Sequence, residues 1–286
     1  MKKVGMIIVN YNDSETTIKL LNNVKDYELI DKIVIVDNKS TDKSAKILKK
    51  YKSDKVTILV NYENKGYASA INLGSKYLMQ QLRNCYIIVS NADIVVKSEE
   101  DIKNLLKHFE IEDVAMVAPT INEWGVYKRC WKLCTTKETI LCNIPLINRL
   151  YKHKFLEYPE GYFGTEYSVV DVIHGSFFII DSAILKQVGF YDENTFLYYE
   201  ENIMARKLQA IKKKSVVDNR IEVMHEHSVS INKSVNNVNK YRILKKSQEY
   251  YLKNYNGATK FQLRIIHILN KINEIGYKFR WKHKCH

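Results

Sequence analysis

The sequence predicts an α/β fold: a mostly parallel sheet flanked by helices, followed by a basic helical extension at the C-terminus. Two observations predict the sheet, since short runs of β-branched residues recur along the chain and stretches with helical spacing separate them. Such alternation forms right-handed βαβ units. The third observation is the charge. The 286 residues carry a net +13, of which +10 lies in residues 240–286, so the basic charge is concentrated in the C-terminal segment.

Strands and helices alternate regularly in the first half of the chain. Buried strands are predicted at residues 4–9, 33–36, 56–60, 86–90 and 114–118. Helices are predicted at residues 14–24, from the polar loop 37–42 to about 51, at about 67–81, and once more before residue 114. The carboxyl ends of these strands are the expected ligand-binding edge of the sheet.

The second half is less regular. Residues 120–170 are aromatic and show no clear period, so we expect loops there. Further on we predict a strand at 171–180, helices at 182–188 and 200–210, and edge or closing strands at 216–217 and 221–224. After about residue 232 the chain becomes helical and basic. These patterns predict a main domain of residues 1–232 and an extension of residues 233–286.

Cysteine usage and apolar runs limit the possible locations. The five cysteines include no C-x-x-C pair, and the cluster Cys130, Cys134 and Cys142 lacks a well-spaced fourth zinc ligand. Reduced thiols in the cytosol are the simpler interpretation. The first apolar run is too short for a signal peptide, and no later run has membrane-spanning length. We expect a cytoplasmic protein whose basic tail could rest on the inner face of the cell membrane.

Polar side chains follow the first two predicted strands where a ligand would bind. Asn10 and Tyr11 follow the first strand and Asp37 the second, without the glycine pattern of a Rossmann dinucleotide site or a P-loop. A carboxylate at this edge can accept the N3–H of a pyrimidine or hold a ribose hydroxyl. The alternative role for Asp37 is a helix N-cap, which Asp42 fills better.

Acidic residues and histidines further along the chain suggest a site for a divalent cation and a general base. Asp93 ends the fourth strand, where one carboxylate and a diphosphate could share a divalent cation; a turn residue is the alternative. His225 or His227 could be a further ligand, although a single histidine often only packs. Glu200 and Glu201 begin a helix, either as partners of its dipole or as a general base.

The order of these segments resembles the family 2 glycosyltransferases of the GT-A fold, particularly the bacterial rhamnosyltransferase-like branch. The similar segments are IIVNYN (7–12), VIVDNKSTD (34–42), NKGYASAINLG (64–74), SNADI (90–94), HGSFFIID (174–181), GFYDENTFLYYEEN (189–202) and HEHSVS (225–230). Specificity lies in their order and spacing, because each segment alone is weak. The resemblance implies a Rossmann-like sheet, with a nucleotide-binding half at about 1–118 and an acceptor-binding half at about 119–232.

The resemblance also implies roles for individual residues. Nucleotide binding falls to Asn10, Tyr11, Asp37, Asn64, Gly66, Asn91 and Asp93, and acceptor binding to His174, Gly175, Asp192 and Glu193. Asp93 and His225 would hold Mg²⁺ or Mn²⁺, and Glu201 or Glu200 would be the catalytic base. The chain departs from the family pattern in three places: Asn91 replaces an acid, Glu201 is longer than the usual Asp, and Asn202-Ile203-Met204 replaces an acidic stretch.

The implied activity is an inverting transfer of a sugar from dTDP-L-rhamnose or a UDP-sugar. The acceptor would be a saccharide or a lipid-linked oligosaccharide in capsular, cell-wall or O-antigen synthesis. A nucleotidyltransferase is the rival enzyme, but the first strand is not followed by a Gly-rich loop with Arg or Lys. The rival from another class, a basic nucleic-acid-binding module, lacks a zinc-finger, RRM or KH signature, so we expect no nucleic-acid partner.

The basic tail contains an apolar face at helical spacing. Its members are Phe261, Ile265, Ile268, Leu269, Ile272 and Ile275. Such a face usually packs on the protein itself. The surrounding basic residues also favour contact with an anionic membrane surface.

Overall fold

The computed structural model describes residues 2–159, 161–226 and 237–282, and strands from the first two of these ranges build its centre. In chain order these are β1 (Lys3–Asn10), β2 (Lys32–Asp37), β3 (Val56–Val60), β4 (Cys85–Asn91), β5 (Ile94–Val95), β6 (Val114–Glu123), β7 (Val126–Lys128), β8 (Cys130–Trp131), β9 (Tyr167–Val170), β10 (Val172–Ile173), β11 (Phe177–Asp181) and β12 (Lys214–His225). The large sheet has the order β3-β2-β1-β4-β11-β6-β12-β5, with β7 beside β6 and β9 beside β12. Strands β8 and β10 form a separate small sheet.

Helices cover both faces of the large sheet. They are α1 (Ser14–Val24), α2 (Ser44–Leu48), α3 (Tyr67–Leu82), α4 (Glu99–Lys107), α5 (Thr136–Cys142), α6 (Pro145–Leu156), α7 (Ser182–Gln187), α8 (Glu200–Ala210), α9 (Asn237–Asn254) and α10 (Lys260–Lys282). Single 3₁₀ turns, Lys49–Tyr51 and His108–Glu110, extend α2 and α4. The α/β class with a sheet flanked by helices is therefore confirmed.

Parallel ladders in the first half bring three strand ends together. Strand β1 pairs in parallel with β2 and with β4, and β2 pairs in parallel with β3. Asn10 lies opposite Asp37, and Val9 lies opposite Asn91. The carboxyl ends of β1, β2 and β4 therefore form one continuous edge, as the sequence predicts.

The middle of the chain is more ordered than the sequence predicts. Within residues 120–170, β6 continues to Glu123 and two helices, α5 and α6, follow. A capping box starts α5, because Thr135 Oγ1 accepts from Glu138 N at 3.2 Å and Glu138 Oε2 accepts from Thr135 N at 2.8 Å. Pro145 occupies the first turn of α6, where its missing N–H costs nothing. The expectation of loops here was wrong. The sequence contains the start signals of both helices, the capping box of α5 and Pro145 of α6.

Two strand predictions in the second half need correction. The strand expected at 171–180 is interrupted, because β10 pairs with β8 in the small sheet whereas β11 lies between β4 and β6 in the large one. The two short strands expected at 216–217 and 221–224 are one strand, β12, which is internal between β6 and β5. Its register shifts between Asp218 and Glu222, so the polar residues there form a bulge and do not end the strand.

Apolar residues form two core layers, one on each face of the sheet. Helices α1 and α4 cover one face with residues such as Leu21 and Ile102, and α3 and α8 cover the other with residues such as Ile71 and Met204. Burial of these helix faces is the main contribution to the stability of the sheet.

The extension forms an antiparallel pair of helices that packs on the main domain. A third core cluster joins Ile203 of α8 to Tyr251 and Leu252 of α9 and to Ile266 of α10. The domain boundary predicted near residue 232 lies in residues 227–236, outside the described residues. Across the described ranges, no helix is both long enough and apolar enough to cross a membrane.

Candidate active site

The loop after β2 is organised by the carboxylate of Asp37. Asn10 Nδ2 donates to Asp37 Oδ2 at 2.7 Å, Ser40 Oγ donates to the same oxygen at 2.6 Å, and Ser40 N donates to Oδ1 at 2.9 Å. Asn10 and Asp37 are both fully buried, and Tyr11 is half-buried beside them. These hydrogen bonds show that Asp37 fixes the loop at the edge of the sheet where the nucleotide is predicted to bind.

An asparagine network links this loop to the next one. Asn38 Nδ2 donates to Asn64 Oδ1 at 2.9 Å and to the Gly66 carbonyl at 3.0 Å, while Asn61 Nδ2 donates to Asn38 Oδ1 at 2.7 Å. Gly66 has φ 96°, and a Cβ there would lie 1.9 Å from the Phe196 carbonyl oxygen. Only glycine fits this position. Sequence reasoning selected Asn64 and Gly66 but missed Asn38, although it directly follows Asp37.

Asp93 and His225 meet at the end of β12. Asp93 Oδ1 lies 3.1 Å from His225 Nε2, and the other ring nitrogen, Nδ1, lies 2.9 Å from Glu123 Oε1. Lys128 forms an ion pair with the second oxygen of Glu123. All three central side chains are about 6% exposed. The structure thus brings the predicted metal ligands together and adds Glu123, which the sequence prediction missed because it ended β6 at residue 118.

The charges around His225 favour its protonated form when no cation is bound. Burial alone would lower the pKa of His225, but the hydrogen bonds and negative charges of Asp93 and Glu123 outweigh burial and raise it. Among the described residues, no group of three His, Cys, Asp or Glu side chains is placed to hold a metal ion. The pair Asp93 and His225 still fits a divalent cation that takes its other ligands from a diphosphate and water, and a carboxylate behind a histidine ligand is a usual supporting arrangement. His227 lies outside the described residues.

The segment between β10 and β11 borders this pair. The His174 ring lies 6.3 Å from the His225 ring, centroid to centroid, and His174 Nδ1 is 2.9 Å from Ser176 Oγ. Burial, with the charge of His225 second, lowers the pKa of His174 to about 4, so the ring is neutral at pH 7. The next carbonyl, of Gly175, accepts a hydrogen bond from Tyr67 OH at 3.0 Å.

Gly175 also lies against Glu201, one of the paired carboxyl groups at the start of α8. A Cβ at position 175 would be 2.4 Å from Glu201 Oε1, which shows how closely the glycine backbone approaches that side chain. Glu201 is half-buried and lines a cavity of about 10 Å³, enough for one water molecule. Glu200 is only 4% exposed, and its Oε1 has no hydrogen-bond partner among the described residues.

Burial makes both carboxyl groups weaker acids than usual. It raises the pKa of Glu200, with the charge of Glu201 as the second cause, and it raises the pKa of Glu201. Burial and then the charges of Glu201, Glu200 and Asp93 raise the pKa of Tyr67 well above its usual value. Tyr67 is thus in the electrostatic field of both the carboxyl pair and the predicted metal ligand. A carboxyl group with a raised pKa suits general base chemistry near neutral pH.

The predicted acceptor residues Asp192 and Glu193 make contacts within the protein. Asp192 Oδ2 accepts from Tyr250 OH at 2.8 Å and from Tyr255 OH at 2.5 Å, both in or next to α9. Glu193 Oε1 accepts from Asn72 Nδ2 at 2.7 Å. These bonds anchor the segment before α8. Their role in acceptor binding stays a prediction.

Comparisons with known proteins give the family and the fold of this chain. The model of the family described as Glycosyl transferase family 2 matches residues 6–189. The low-salt glycan biosynthesis hexosyltransferase Agl10 of Haloferax volcanii is 26% identical over a match of 201 residues, and the match covers 69% of this chain. The match spans 59% of the length of that relative.

Two solved structures share the fold. The mannosyltransferase PcManGT from Pyrobaculum calidifontis, in complex with GDP-Man and Mn²⁺, has a TM-score of 0.59 at 13% identity, over 93% of this chain and 68% of the other. GalNAc-T7 with UDP, GalNAc and Mn²⁺ has a TM-score of 0.60 at 14% identity, over 94% of this chain and 55% of the other. At these identities the likeness shows a common fold.

Proposed function

The chain belongs to glycosyl transferase family 2 and has the GT-A fold, and from this membership we propose that it is an inverting glycosyltransferase acting on a nucleotide-sugar donor. One observation carries the proposal: residues 174–176 contact both halves of a reaction site. His174 lies against His225, the partner of Asp93, on one side, and Gly175 lies against Glu201 on the other. A diphosphate near Asp93 and an acceptor hydroxyl near Glu201 would therefore be neighbours.

The carboxyl pair supports a single displacement. Glu201 takes the proton from the acceptor hydroxyl while the hydroxyl oxygen forms a bond to the anomeric carbon of the donor sugar. The bond from that carbon to the diphosphate breaks on the opposite face. The configuration inverts, and the nucleoside diphosphate leaves. We favour Glu201 as the base because Glu200 is the more deeply buried of the two; Glu200 is the alternative.

Asp93 and His225 are the residues that would hold Mg²⁺ or Mn²⁺. When bound, the cation would supply positive charge that stabilises the leaving diphosphate. The structures of PcManGT and GalNAc-T7 were both solved with Mn²⁺, which supports a divalent cation here. Glu123 would orient His225 through its Nδ1 atom.

The donor and the acceptor are the finer part of the proposal. dTDP-L-rhamnose or a UDP-sugar remains the expected donor, and the solved relatives add GDP-mannose to the compounds to be tested. The hexosyltransferase relative, described as acting in glycan biosynthesis, supports the transfer of a hexose. The proposed acceptor is a saccharide or a lipid-linked oligosaccharide in surface polysaccharide synthesis, and the proposed location is the cytoplasm or the inner face of the membrane. Family membership favours sugar transfer over the rival nucleotidyl transfer and over nucleic-acid binding.

A thermal-shift screen tests the donor proposal. UDP, dTDP, GDP and the corresponding nucleotide sugars are added with and without Mn²⁺, and a true donor at a hundred times its Kd should raise Tm by about 5 °C.

Substitutions of the carboxyl pair test the base assignment. Glu201→Gln should lower turnover by about 10²- to 10⁴-fold with little change in donor affinity, whereas Glu200→Gln should cause a smaller loss of turnover. Full activity of both variants would disprove the base assignment, and the absence of any nucleotide-dependent shift would argue against the donor class.

A further inference from the structure

Helix α10 has two faces with apolar residues, and the residues that the structure describes cover only one of them. Ile266 is buried against α9 and the main domain, and Asn270 is buried against α9, where its Nδ2 donates to Glu249 Oε1 at 2.9 Å. On the opposite side, about 180° around a helix of 3.6 residues per turn, lies a row of large apolar side chains. They are Phe261 (71% exposed), Ile268 (57%), Ile272 (58%) and Ile275 (56%), which we call the outer ridge. Of the apolar face expected from the sequence, Ile265 and Leu269 are half-buried, so the ridge is the part that packing leaves uncovered.

A row of basic residues runs along one side of the outer ridge. Its members are Lys260, Arg264, Lys271 and Lys278, and all four are exposed. The one acidic residue of α10, Glu274, already pairs with Arg242 and with Lys278 at 2.8 Å each. The ridge therefore presents apolar and positive groups together, with little negative charge to offset them.

We propose that the outer ridge of α10 lies on an anionic lipid bilayer, with its isoleucines and Phe261 in the headgroup–acyl boundary and its basic row on the lipid phosphates. A helix with this division of apolar and basic residues is typical of interfacial binding. The combination of positive charge and exposed apolar side chains favours an anionic bilayer over other partners. A second copy would bring a like-charged ridge against this one, and nucleic acid would leave four large apolar side chains in water.

The membrane proposal does not depend on which sugar is transferred, so it can fail or succeed independently of the enzymatic assignment. It requires only that the helical hairpin formed by α9 and α10 remain folded against the main domain. Because Tyr251, Leu252 and Ile266 are core residues, removing the extension would expose the core, and point variants in the full chain are the appropriate test.

The experiment measures co-sedimentation with vesicles of phosphatidylcholine alone and of equal parts phosphatidylcholine and phosphatidylglycerol. The ridge variant changes all four ridge residues to Ser, and the charge variant is Lys260→Gln, Arg264→Gln, Lys271→Gln. The matched control changes Lys46, Lys49 and Lys50 to Gln, three exposed lysines at the end of α2 and in the turn that follows it. Thermal unfolding of each variant confirms that it is folded.

The wild-type chain should bind the anionic vesicles and not the neutral ones at low salt. The ridge variant should partition about 100-fold more weakly and the charge variant about tenfold or more, while the control stays near wild type. Equal binding of wild type and ridge variant, or an equal loss in the control, would overturn the proposal. So would a dimer that the ridge variant abolishes, or DNA binding that the ridge variant weakens in place of vesicle binding. If the ridge variant does not fold, the comparison of charge variant with control decides.

Discussion

Replacing Gly175 by Ala should reduce turnover without unfolding the protein. The new Cβ would lie 2.4 Å from Glu201 Oε1, 3.1 Å from Cδ and 3.2 Å from Cγ. Relief of this contact requires the carboxyl group to move by about 1 Å to reach ordinary van der Waals distance. A flexible glutamate end can move at little cost in stability. A general base displaced by about 1 Å, however, is expected to lower kcat by about 10²-fold.

The assay compares kcat, donor affinity and Tm for Gly175→Ala with those of Gly276→Ala. Gly276 lies in α10, where an added Cβ would meet no neighbouring atom within 4 Å, so that variant should keep its activity and become slightly more stable. We expect a turnover loss in the first variant with donor affinity nearly unchanged. Full turnover in Gly175→Ala would refute Glu201 as the base, and a large loss of Tm would show that Gly175 acts in folding instead.

Three further outcomes are expected at the same site. Asp93→Ala should abolish Mn²⁺-dependent nucleotide binding in calorimetry while the fold stays intact, and unchanged affinity would contradict a metal role. Glu123→Gln should weaken Mn²⁺ binding about 10- to 100-fold by removing the charge behind His225, measurable by titration without substrate; equal Mn²⁺ affinity would leave Glu123 a structural residue. Because burial raises the pKa of Glu200 and Glu201 and a base acts only when ionised, activity should rise with pH through a midpoint above the usual Glu value of about 4.3. A midpoint at or below that value would argue against the buried pair.

The first half of the fold could be predicted because its signals are local. Strands β1 to β4 are short runs rich in β-branched residues in parallel ladders, and helices such as α1 have an apolar stripe. The site residues at strand ends followed directly from that topology, as Asn10 and Asp37 illustrate. The pairing of Asp93 with His225, in preference to His227, depended on the resemblance, because 132 positions separate the two residues in the chain.

The missed features depend on tertiary contacts. Glu123 lies at the far end of β6, beyond the predicted end of that strand, and its role comes from His225 on the neighbouring strand. The break between β10 and β11 arises because the chain passes from one sheet to another, and local propensity carries no sign of it. By contrast, the capping box at Thr135 was present in the sequence and could have been found.

The C-terminal extension connects the surface that we propose for membrane binding to the position of the proposed catalytic acids. Tyr198 and Tyr199, directly before Glu200, both have left-handed φ values of 71° and 70°, a conformation that costs about 1–3 kcal/mol for each residue. Helix α9 contacts this turn, because Gln248 Nε2 donates to Tyr199 OH at 2.8 Å and Ser247 Oγ donates to the Leu197 carbonyl at 2.8 Å. Such strain persists only where surrounding contacts hold it, so α9 stabilises the start of α8 while α10 carries the outer ridge. One helical hairpin therefore holds the carboxyl pair in place and presents the surface that we propose lies on the lipid.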